Sequence, residues 1–340
     1  DQGLIIKGSA QSWWLYNALE DLKSSIEKID AKLTILVGNT SEVLSNIIKK
    51  YNINEVYLNN GYDPISLSQE NFLINNDICL KLFSANTLSD PKEILKDNKT
   101  SYQVFTPYWR KLLKENKVRT EVACPNFKNY DFKTQLKSYE INKLGLLYKW
   151  SDKFSKYWDP TQKGAKEKLD IFLKNNLKIY KTARDFPATE GTSKLSPYLH
   201  FGQISPVQVW HKAVKIKQDI PKDDFDCFLS ELGWREFSYY LLFYFPAFPK
   251  KNFRNKFDDF KWENSKALFN AWSKAKTGYP IIDAGMRELY ETGFMHNRVR
   301  MIVASFLTKH GLVHWKLGAK WFSFTLLDSD IASNNAGWQW

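Results

Sequence analysis

The chain has 340 residues, a length that predicts about two domains and a sizeable buried core. Its 49 Lys and Arg against 37 Asp and Glu give a net charge of +12, which favours a polyanionic partner such as nucleic acid. An AT-rich genome would enrich lysine in the same way, so the charge alone leaves both readings open. Cys79, Cys124 and Cys227 lie far apart without a CxxC pair, which argues against a disulfide framework and a zinc site.

In chain order, the first third alternates helical and strand patterns. Residues 9–29 have helical apolar spacing, residues 32–38 (KLTILVG) predict a short apolar strand, and residues 41–51 are again helical. The segments NEVYLNN and ICLKLF predict two further strands. Such alternation is typical of a parallel, Rossmann-like sheet flanked by helices, here an incomplete one without its leading strand.

The rest of the chain divides into a connector and a helical part. Residues 115–149 are rich in Lys, Asn and Asp and show no periodicity, which predicts an interdomain connector. Helical patterns then continue to Trp340, and two of them are followed by Gly293 and Gly311, which predicts that these glycines end the helices. We therefore expect an α/β unit at 1–114 and an all-α domain at 150–340. The chain lacks an initiator Met and ends on Trp340, so we expect a fragment of a longer protein.

No run of 18 apolar residues and no signal peptide occur, so we expect a cytoplasmic protein, located at the nucleoid if the source is bacterial. Aromatic residues make up 16% of the chain and include 13 Trp. Most must be core, but the excess leaves room for a flat ligand or for base stacking.

The segment GTSKLSPYLHFG, residues 191–202, predicts a helix start with Ser196 as its cap and Pro197 at the first helical position. The hydroxyls of Thr192 and Ser193 and the free backbone amides there suit a phosphate group. A plain capped helix explains the same residues equally simply.

Two helical segments combine charged and aromatic residues. In SELGWREF, Glu231, Trp234 and Arg235 share one side of a helix, which suits a nucleobase or merely an intrahelical Glu–Arg pair beside a core Trp. In MHNRVRM, Asn297 and Met301 share a face, and Arg300 needs a carboxylate partner such as Asp328.

The last thirteen residues, DSDIASNNAGWQW, place Asp328 and Asp330 before Asn334. Two acceptors and an amide suit the edge of a heteroaromatic ring. A metal site is disfavoured, because zinc prefers His and Cys, although a carboxylate pair for another metal stays an alternative. Trp338 and Trp340 offer stacking surface or core.

Taken together, these segments resemble the flavin-dependent DNA photolyases and cryptochromes. The similarity runs through YQVFTPYWRKL, RDFPATEGTSKLSPYLHFG, ELGWREF, KTGYPIIDAGMRELYETGFMHNRVRMIVASFLTKH and LLDSDIASNNAGWQW. It implies an α/β domain joined by a long connector to a helical domain that binds FAD, whose chemistry the protein tunes. A second, antenna chromophore, a folate or a deazaflavin, is used by some relatives.

The resemblance assigns the cofactor contacts. Asp328 and Asp330 are expected at the flavin ring edge, with Arg300 paired to Asp328 and Asn334 facing flavin N5. The full set implied for FAD is Tyr180, Thr192, Ser193, Lys194, Leu195, Ser196, Phe228, Arg235, Asn297, Arg300, Asp328, Ser329, Asp330 and Asn334.

The resemblance is closest to the enzymes that reverse cyclobutane pyrimidine dimers by electron transfer from excited, reduced FAD to a dimer flipped out of DNA. The residues implied for damaged DNA are Arg184, Glu231, Trp234, Asn297, Arg298, Met301 and Trp340. Trp262, Trp315 and Trp338 match the electron-transfer chain of the family, whereas without the resemblance they are ordinary core. We expect a monomeric DNA repair lyase without a metal. A light-sensing cryptochrome without repair is the alternative, and a flavin-free nucleic-acid-binding module is a third.

Overall fold

The computed structural model describes residues 5–115, 118–123 and 136–340. Its first part is a small α/β unit composed of α1 (Ala10–Glu27), α2 (Thr40–Tyr51), β1 (Glu55–Asn59), α3 (Pro64–Asn75) and β2 (Cys79–Phe83). The two strands pair in parallel, from Glu55 opposite Cys79 to Asn59 opposite Phe83. Parallel neighbours need a crossover, and α3 supplies it. The predicted α/β alternation is therefore confirmed.

The strand predicted at residues 32–38 is wrong. These residues belong to no strand, because their backbone bonds go to residues just before the helical part of the chain. The Ile35 amide donates to the Ser138 hydroxyl at 2.9 Å, and the Ile35 carbonyl accepts from the Tyr139 amide at 2.7 Å. The predicted connector thus packs on the α/β unit here; Cys124 and the rest of residues 124–135 lie outside the described residues.

The remainder is helical, as predicted. Its α-helices are α4 (Phe105–Glu115), α5 (Gln162–Asn175), α6 (Tyr180–Ala183), α7 (Ser196–His200), α8 (Pro206–Lys215), α9 (Lys222–Tyr244), α10 (Lys266–Ser273), α11 (Pro280–Thr292), α12 (Asn297–Ser305), α13 (Trp315–Thr325) and α14 (Ile331–Gln339). Short 3₁₀ segments join several of them, including Lys149–Lys156. The long helix α9 packs against α4, α6, α8 and α14 and so forms the centre of this part.

The two predicted glycine stops differ. Gly293 ends α11 with φ +69°, the left-handed conformation that favours glycine. Gly311 also follows the last helical residue, because α12 continues as a π-helical turn over Phe306–His310, but its φ of −93° is not left-handed. The left-handed residue there is Leu312, at φ +48°.

Consecutive residues of α9 fix the α/β unit to the helices. The carboxylate of Glu236, which is 2% exposed, accepts from the backbone amides of Leu88 at 2.7 Å and Ser89 at 2.9 Å. Burial raises the pKa of Glu236, and the backbone amides oppose that rise. The guanidinium of Arg235 donates to the carbonyls of Asn86 and Leu199. The orientation of α9 is therefore set by the loop that follows β2.

Candidate functional site

An ion pair lies at the centre of the site. Arg300, on α12, donates to Asp328 through both terminal nitrogens, at 3.0 and 2.8 Å, and its Nε donates to the Met295 carbonyl at 2.7 Å. The hydroxyl of Ser196 donates to the same carboxylate at 2.5 Å. The predicted pairing of Arg300 with Asp328 is present.

The role predicted for Ser196 as a helix cap is wrong. The helix α7 begins at Ser196 itself with Leu195 in the cap position, and the Ser196 hydroxyl is already engaged with Asp328. Among the described residues, no side chain caps the first turn of α7. Within the described part of the chain, no hydrogen bond involves the backbone amides or the side-chain hydroxyls of Thr192 and Ser193.

A cluster of positive charge lies around His296 and includes Lys194 from the segment before α7. His296 is 5% exposed, and its buried Nε2 atom has no hydrogen-bond partner among the residues that the structure describes. Burial, followed by the charges of Arg298, Arg300, Arg184 and Lys194, lowers the pKa of His296. Free donors beside several cations are the features that bind an anion.

Both oxygens of the second carboxylate of the motif, Asp330, accept hydrogen bonds from other residues of the protein. Its Oδ1 accepts from the Ser333 amide at 2.8 Å, which caps α14, and its Oδ2 accepts from the Tyr239 hydroxyl at 2.6 Å. The ring of His200 lies 3.5 Å from the same Oδ2. Burial opposes ionisation, but His200, Arg235 and the Tyr239 hydroxyl together lower the pKa of Asp330.

Three residues around Asp330 were not predicted from the sequence. Tyr239 is buried on α9, His200 ends α7, and Gln11 on α1 contacts His200 Nε2 at 2.9 Å and also donates to the Ser329 carbonyl. The network therefore links the α/β unit to the helical part. An Asp three residues before Ser333 is an N-cap signal that was available in the sequence.

Asn334 orients its amide toward α13. Its Nδ2 donates to the Ala319 carbonyl at 3.0 Å and the Ser323 hydroxyl at 3.1 Å. Its side-chain oxygen accepts no hydrogen bond from the described residues and so remains an available acceptor. The Ser329 hydroxyl lies 3.4 Å from the same Ser323 hydroxyl.

Other residues predicted for the cofactor are already packed or bonded. Tyr180 and Phe228 are buried with ring centroids 5.6 Å apart, and burial raises the pKa of Tyr180. Leu195 is buried beside them in the same core, and Lys194 pairs with Glu190 at 2.7 Å. Arg235 serves the two backbone carbonyls described above, and its guanidinium also lies 4.8 Å from the Tyr239 ring centroid.

An aromatic surface lies on the exposed side of α9 and α14. Trp234 is 38% and Trp340 is 53% exposed, and their ring centroids are 6.2 Å apart. One face of Trp234 stacks on Phe105 of α4 at 3.9 Å. Glu231, one turn before Trp234, forms an ion pair with Arg184 and not with Arg235. The alternative of an intrahelical Glu–Arg pair is therefore wrong.

The neighbouring ion pair joins α12 to the segment after α6. Arg298 donates to Asp185 Oδ1 through Nε at 2.8 Å and Nη2 at 2.5 Å. Its Nη1 lies 3.8 Å from the sulfur of Met301, which is 54% exposed. Asn297 is exposed at the start of the same helix. We call the group Arg184, Asp185, Glu231, Trp234, Asn297, Arg298, Met301 and Trp340 the mouth.

Of the three predicted relay tryptophans, Trp315 and Trp338 lie on α13 and α14, and Trp262 lies in the irregular segment before α10. The Trp262 and His314 ring centroids are 4.9 Å apart, and those of His314 and Trp315 are 5.8 Å apart. Trp315 begins α13, and Trp338 packs on Gly318 one turn later: a Cβ on that glycine would lie 2.1 Å from the Trp338 ring. Trp338 lies one turn beyond Asn334 on α14, so the rings lead away from Asn334.

No cluster of His, Cys, Asp and Glu in the described ranges could hold a metal ion. Among the helices of the described residues, none is long and apolar enough to cross a membrane.

Comparison with known proteins identifies both parts of the chain. Residues 2–126 match the family model described as DNA photolyase, and residues 228–340 match the FAD-binding domain of DNA photolyase. A deoxyribodipyrimidine photo-lyase of Agrobacterium fabrum is 41% identical over 98% of this chain and 71% of its own length. Cryptochrome-2 of Arabidopsis thaliana is 32% identical over 100% of this chain and 58% of its own length.

Solved structures agree with these matches. The crystal structure of a bacterial class III photolyase from Agrobacterium tumefaciens superposes with a TM-score of 0.93 at 40% identity, covering 100% of this chain and 72% of that one. An archaeal photolyase from Sulfolobus tokodaii, solved with two FAD molecules, gives a TM-score of 0.80 at 29% identity over 98% of this chain and 72% of that one. The chain therefore belongs to the photolyase and cryptochrome family, with its α/β domain and helical FAD-binding domain.

Proposed function

We propose that this protein is a deoxyribodipyrimidine photo-lyase that binds FAD and uses light to reverse cyclobutane pyrimidine dimers in DNA. The observation that carries the proposal is the mouth: exposed indole rings and a carboxylate beside a cationic, donor-rich segment within the helical part. Bound and reduced, FAD supplies the light-driven electron that opens the dimer and is then returned.

The residues present fit FAD. The unbonded amides and hydroxyls of Thr192 and Ser193 suit its diphosphate, and the cations around His296 compensate the negative charge. The free oxygen of Asn334 suits a ring N–H donor. The other residues expected to contact FAD belong to the same proposal. Asp330 and Arg235 act by shaping the site, because their polar atoms are already hydrogen-bonded within the protein.

The mouth fits a flipped pyrimidine dimer. Extruding a damaged base costs a few kcal/mol, and a site that stacks the base and hydrogen-bonds its edge offsets that cost. Trp234 and Trp340 provide the stacking surface, Met301 provides apolar contact, and Glu231 accepts from a pyrimidine N–H. Asn297 can pair with the other edge. The charge of +12, with Arg184 and Arg298, supplies the sequence-independent attraction to the DNA backbone.

The relay and the domain bounds are also part of the proposal. Trp338, Trp315 and Trp262 would carry electrons to the site from an external reductant at the surface, which would keep the cofactor reduced. The α/β domain covers 1–114, the connector 115–149 and the catalytic domain 150–340, and the protein acts as a monomer near the DNA. An absorption spectrum of the purified protein will report the flavin and any folate or deazaflavin antenna.

The direct test is illumination of the reduced protein with a dimer-containing oligothymidylate. We expect absorbance at 260 nm to recover under blue light and not in the dark, because splitting a dimer restores the pyrimidine double bonds. Unchanged dimers under light would contradict the proposal. The similarity to Arabidopsis cryptochromes supports the alternative of a photoreceptor, and flavin binding without any dimer loss would favour it.

A further inference from the structure

Two consecutive residues after α6 extend to opposite sides of the mouth. Arg184 pairs with Glu231 on α9, and Asp185 pairs with Arg298 on α12. The segment itself is fixed at its other end, where the Lys181 amide donates to Asp224 at 2.8 Å and its ammonium group pairs with Asp223 at 2.6 Å. The carboxylate of Asp185 is therefore held in front of a guanidinium by a segment that is anchored to α9.

We propose that Asp185 occupies the position of a DNA phosphate on Arg298 and so sets the affinity of the protein for the DNA backbone. Two nitrogens of Arg298 bind one oxygen of Asp185, and a phosphate oxygen could accept the same two hydrogen bonds. In DNA binding, Arg298 exchanges the carboxylate for a phosphate, and Asp185 is released to solvent. The inference rests on the proposed function.

The solvent exposure of the two ion pairs indicates which arginine can exchange its carboxylate partner for a phosphate. The Arg298 and Asp185 side chains are 39% and 50% exposed, so this pair is screened by water and its separation leaves neither charge buried. The Arg184 and Glu231 side chains are only 17% and 30% exposed, and Arg184 also donates to the sulfur of Cys227. Separating that pair is more costly. Arg298 is therefore the residue that is free to change partners.

Asp185→Asn tests the exchange, with Asp223→Asn as its matched control. Both substitutions remove one negative charge from a surface ion pair of the same segment, but Asp223 pairs with Lys181 and not with Arg298. The probe is a fluorescein-labelled 20-base-pair duplex, with and without one thymine dimer, titrated by anisotropy at several salt concentrations. We expect Asp185→Asn to tighten binding of both duplexes by up to about 5-fold more than Asp223→Asn, because an exposed ion pair that competes for Arg298 contributes at most about 1 kcal/mol.

The salt dependence and a double variant separate exchange from a general charge effect. Arg298→Gln should weaken binding and reduce the slope of log affinity against log salt by about 1, because one phosphate contact is lost. In the Arg298→Gln background, Asp185→Asn should give no more gain than Asp223→Asn. Both aspartates are exposed, so thermal unfolding should confirm that all variants fold.

Equal effects of Asp185→Asn and Asp223→Asn, or a gain that persists in the Arg298→Gln background, would overturn the inference while leaving the proposed function intact. Failure of the wild-type protein to bind either duplex would contradict the proposed function and the inference with it. A gain confined to Asp185→Asn and dependent on Arg298 would support both.

Discussion

The buried acidic centre around Asp328 and Asp330 and the mouth both use side chains of α9 and α12, but they differ in how their charges are satisfied. At the centre, the Asp328 side chain is 3% exposed and is engaged by Arg300 and Ser196, and Asp330 is engaged by Tyr239 and Ser333. At the mouth, large apolar side chains remain exposed, and the pair of Arg298 with Asp185 faces water. The charged groups of the centre already have their partners within the protein, whereas the mouth presents exposed apolar and charged side chains that a binding partner can contact.

The largest expected effect comes from breaking the centre. Asp328→Ala leaves the largely buried Arg300 without its carboxylate, and removing one partner of such a pair costs about 3–5 kcal/mol of unfolding free energy. Urea unfolding followed by circular dichroism measures this loss. Asp223→Ala removes one partner of an exposed pair and should leave the unfolding midpoint unchanged. Equal unfolding midpoints for the two variants would show that the pair of Arg300 with Asp328 contributes no more to stability than the exposed pair of Asp223 with Lys181.

A packing change should have the next largest effect. Gly318→Ala places a methyl group 2.1 Å from the Trp338 ring, and overpacking costs about 1–3 kcal/mol. The control is Gly337→Ala on α14, where no heavy atom lies within 4 Å of the new Cβ. That exposed helical substitution should stabilise the protein by about 0.5–1 kcal/mol. Changes of the same sign in both variants would contradict the close approach of α13 to Trp338.

At the mouth, an aromatic deletion should affect binding and spare folding. Trp340→Ala should weaken binding of a dimer-containing duplex by about 1–3 kcal/mol, the contribution of one base stacked on an aromatic ring. Its effect on the melting temperature should be small, because the ring is 53% exposed. Phe257→Ala, at a 46% exposed ring in the 3₁₀ segment Asn255–Phe257, is the control in the same anisotropy titration. Equal affinities for the two variants would exclude Trp340 from the interface.

The smallest effect concerns pH. The pKa of Asp330 is lowered in the folded protein, so the unfolded chain takes up its proton first as the pH falls below about 4. Asp330 therefore stabilises the fold above that pH and loses this contribution on acidification. The stability difference between wild type and Asp330→Asn should shrink between pH 6 and about pH 3. A difference that is constant over this range would contradict the lowered pKa; exposed Asp219→Asn serves as the control.

Much of the fold could be predicted because local signals agree with the tertiary structure. The helical periodicity of α9 and α11, the glycine after α11, and the apolar runs at β1 and β2 all appear in the structure. The run at 32–38 has the same local pattern as a strand, yet its backbone bonds go to Ser138 and Tyr139. Pairing partners are chosen by tertiary proximity, which a single segment does not encode.

The candidate site likewise contains residues that could be predicted from the sequence and residues that could not. The pairing of Arg300 with Asp328 could be predicted because a charge in an apolar helix needs a partner, and the family resemblance pairs these two residues. Gln11, His200 and Tyr239 could not, since they approach Asp330 or Ser329 from three distant segments. Asp185 could not be predicted either, because only its contact with Arg298 in the structure points to the role that we propose for it.

The measurement closest to the central claim is a crystal structure of the reduced protein with a duplex that contains one thymine dimer. We predict the dimer outside the helix, against Trp340 and Met301, with Glu231 hydrogen-bonded to a pyrimidine edge and a phosphate in place of Asp185 on Arg298. A duplex bound with its dimer still stacked, or bound away from the mouth, would contradict the account.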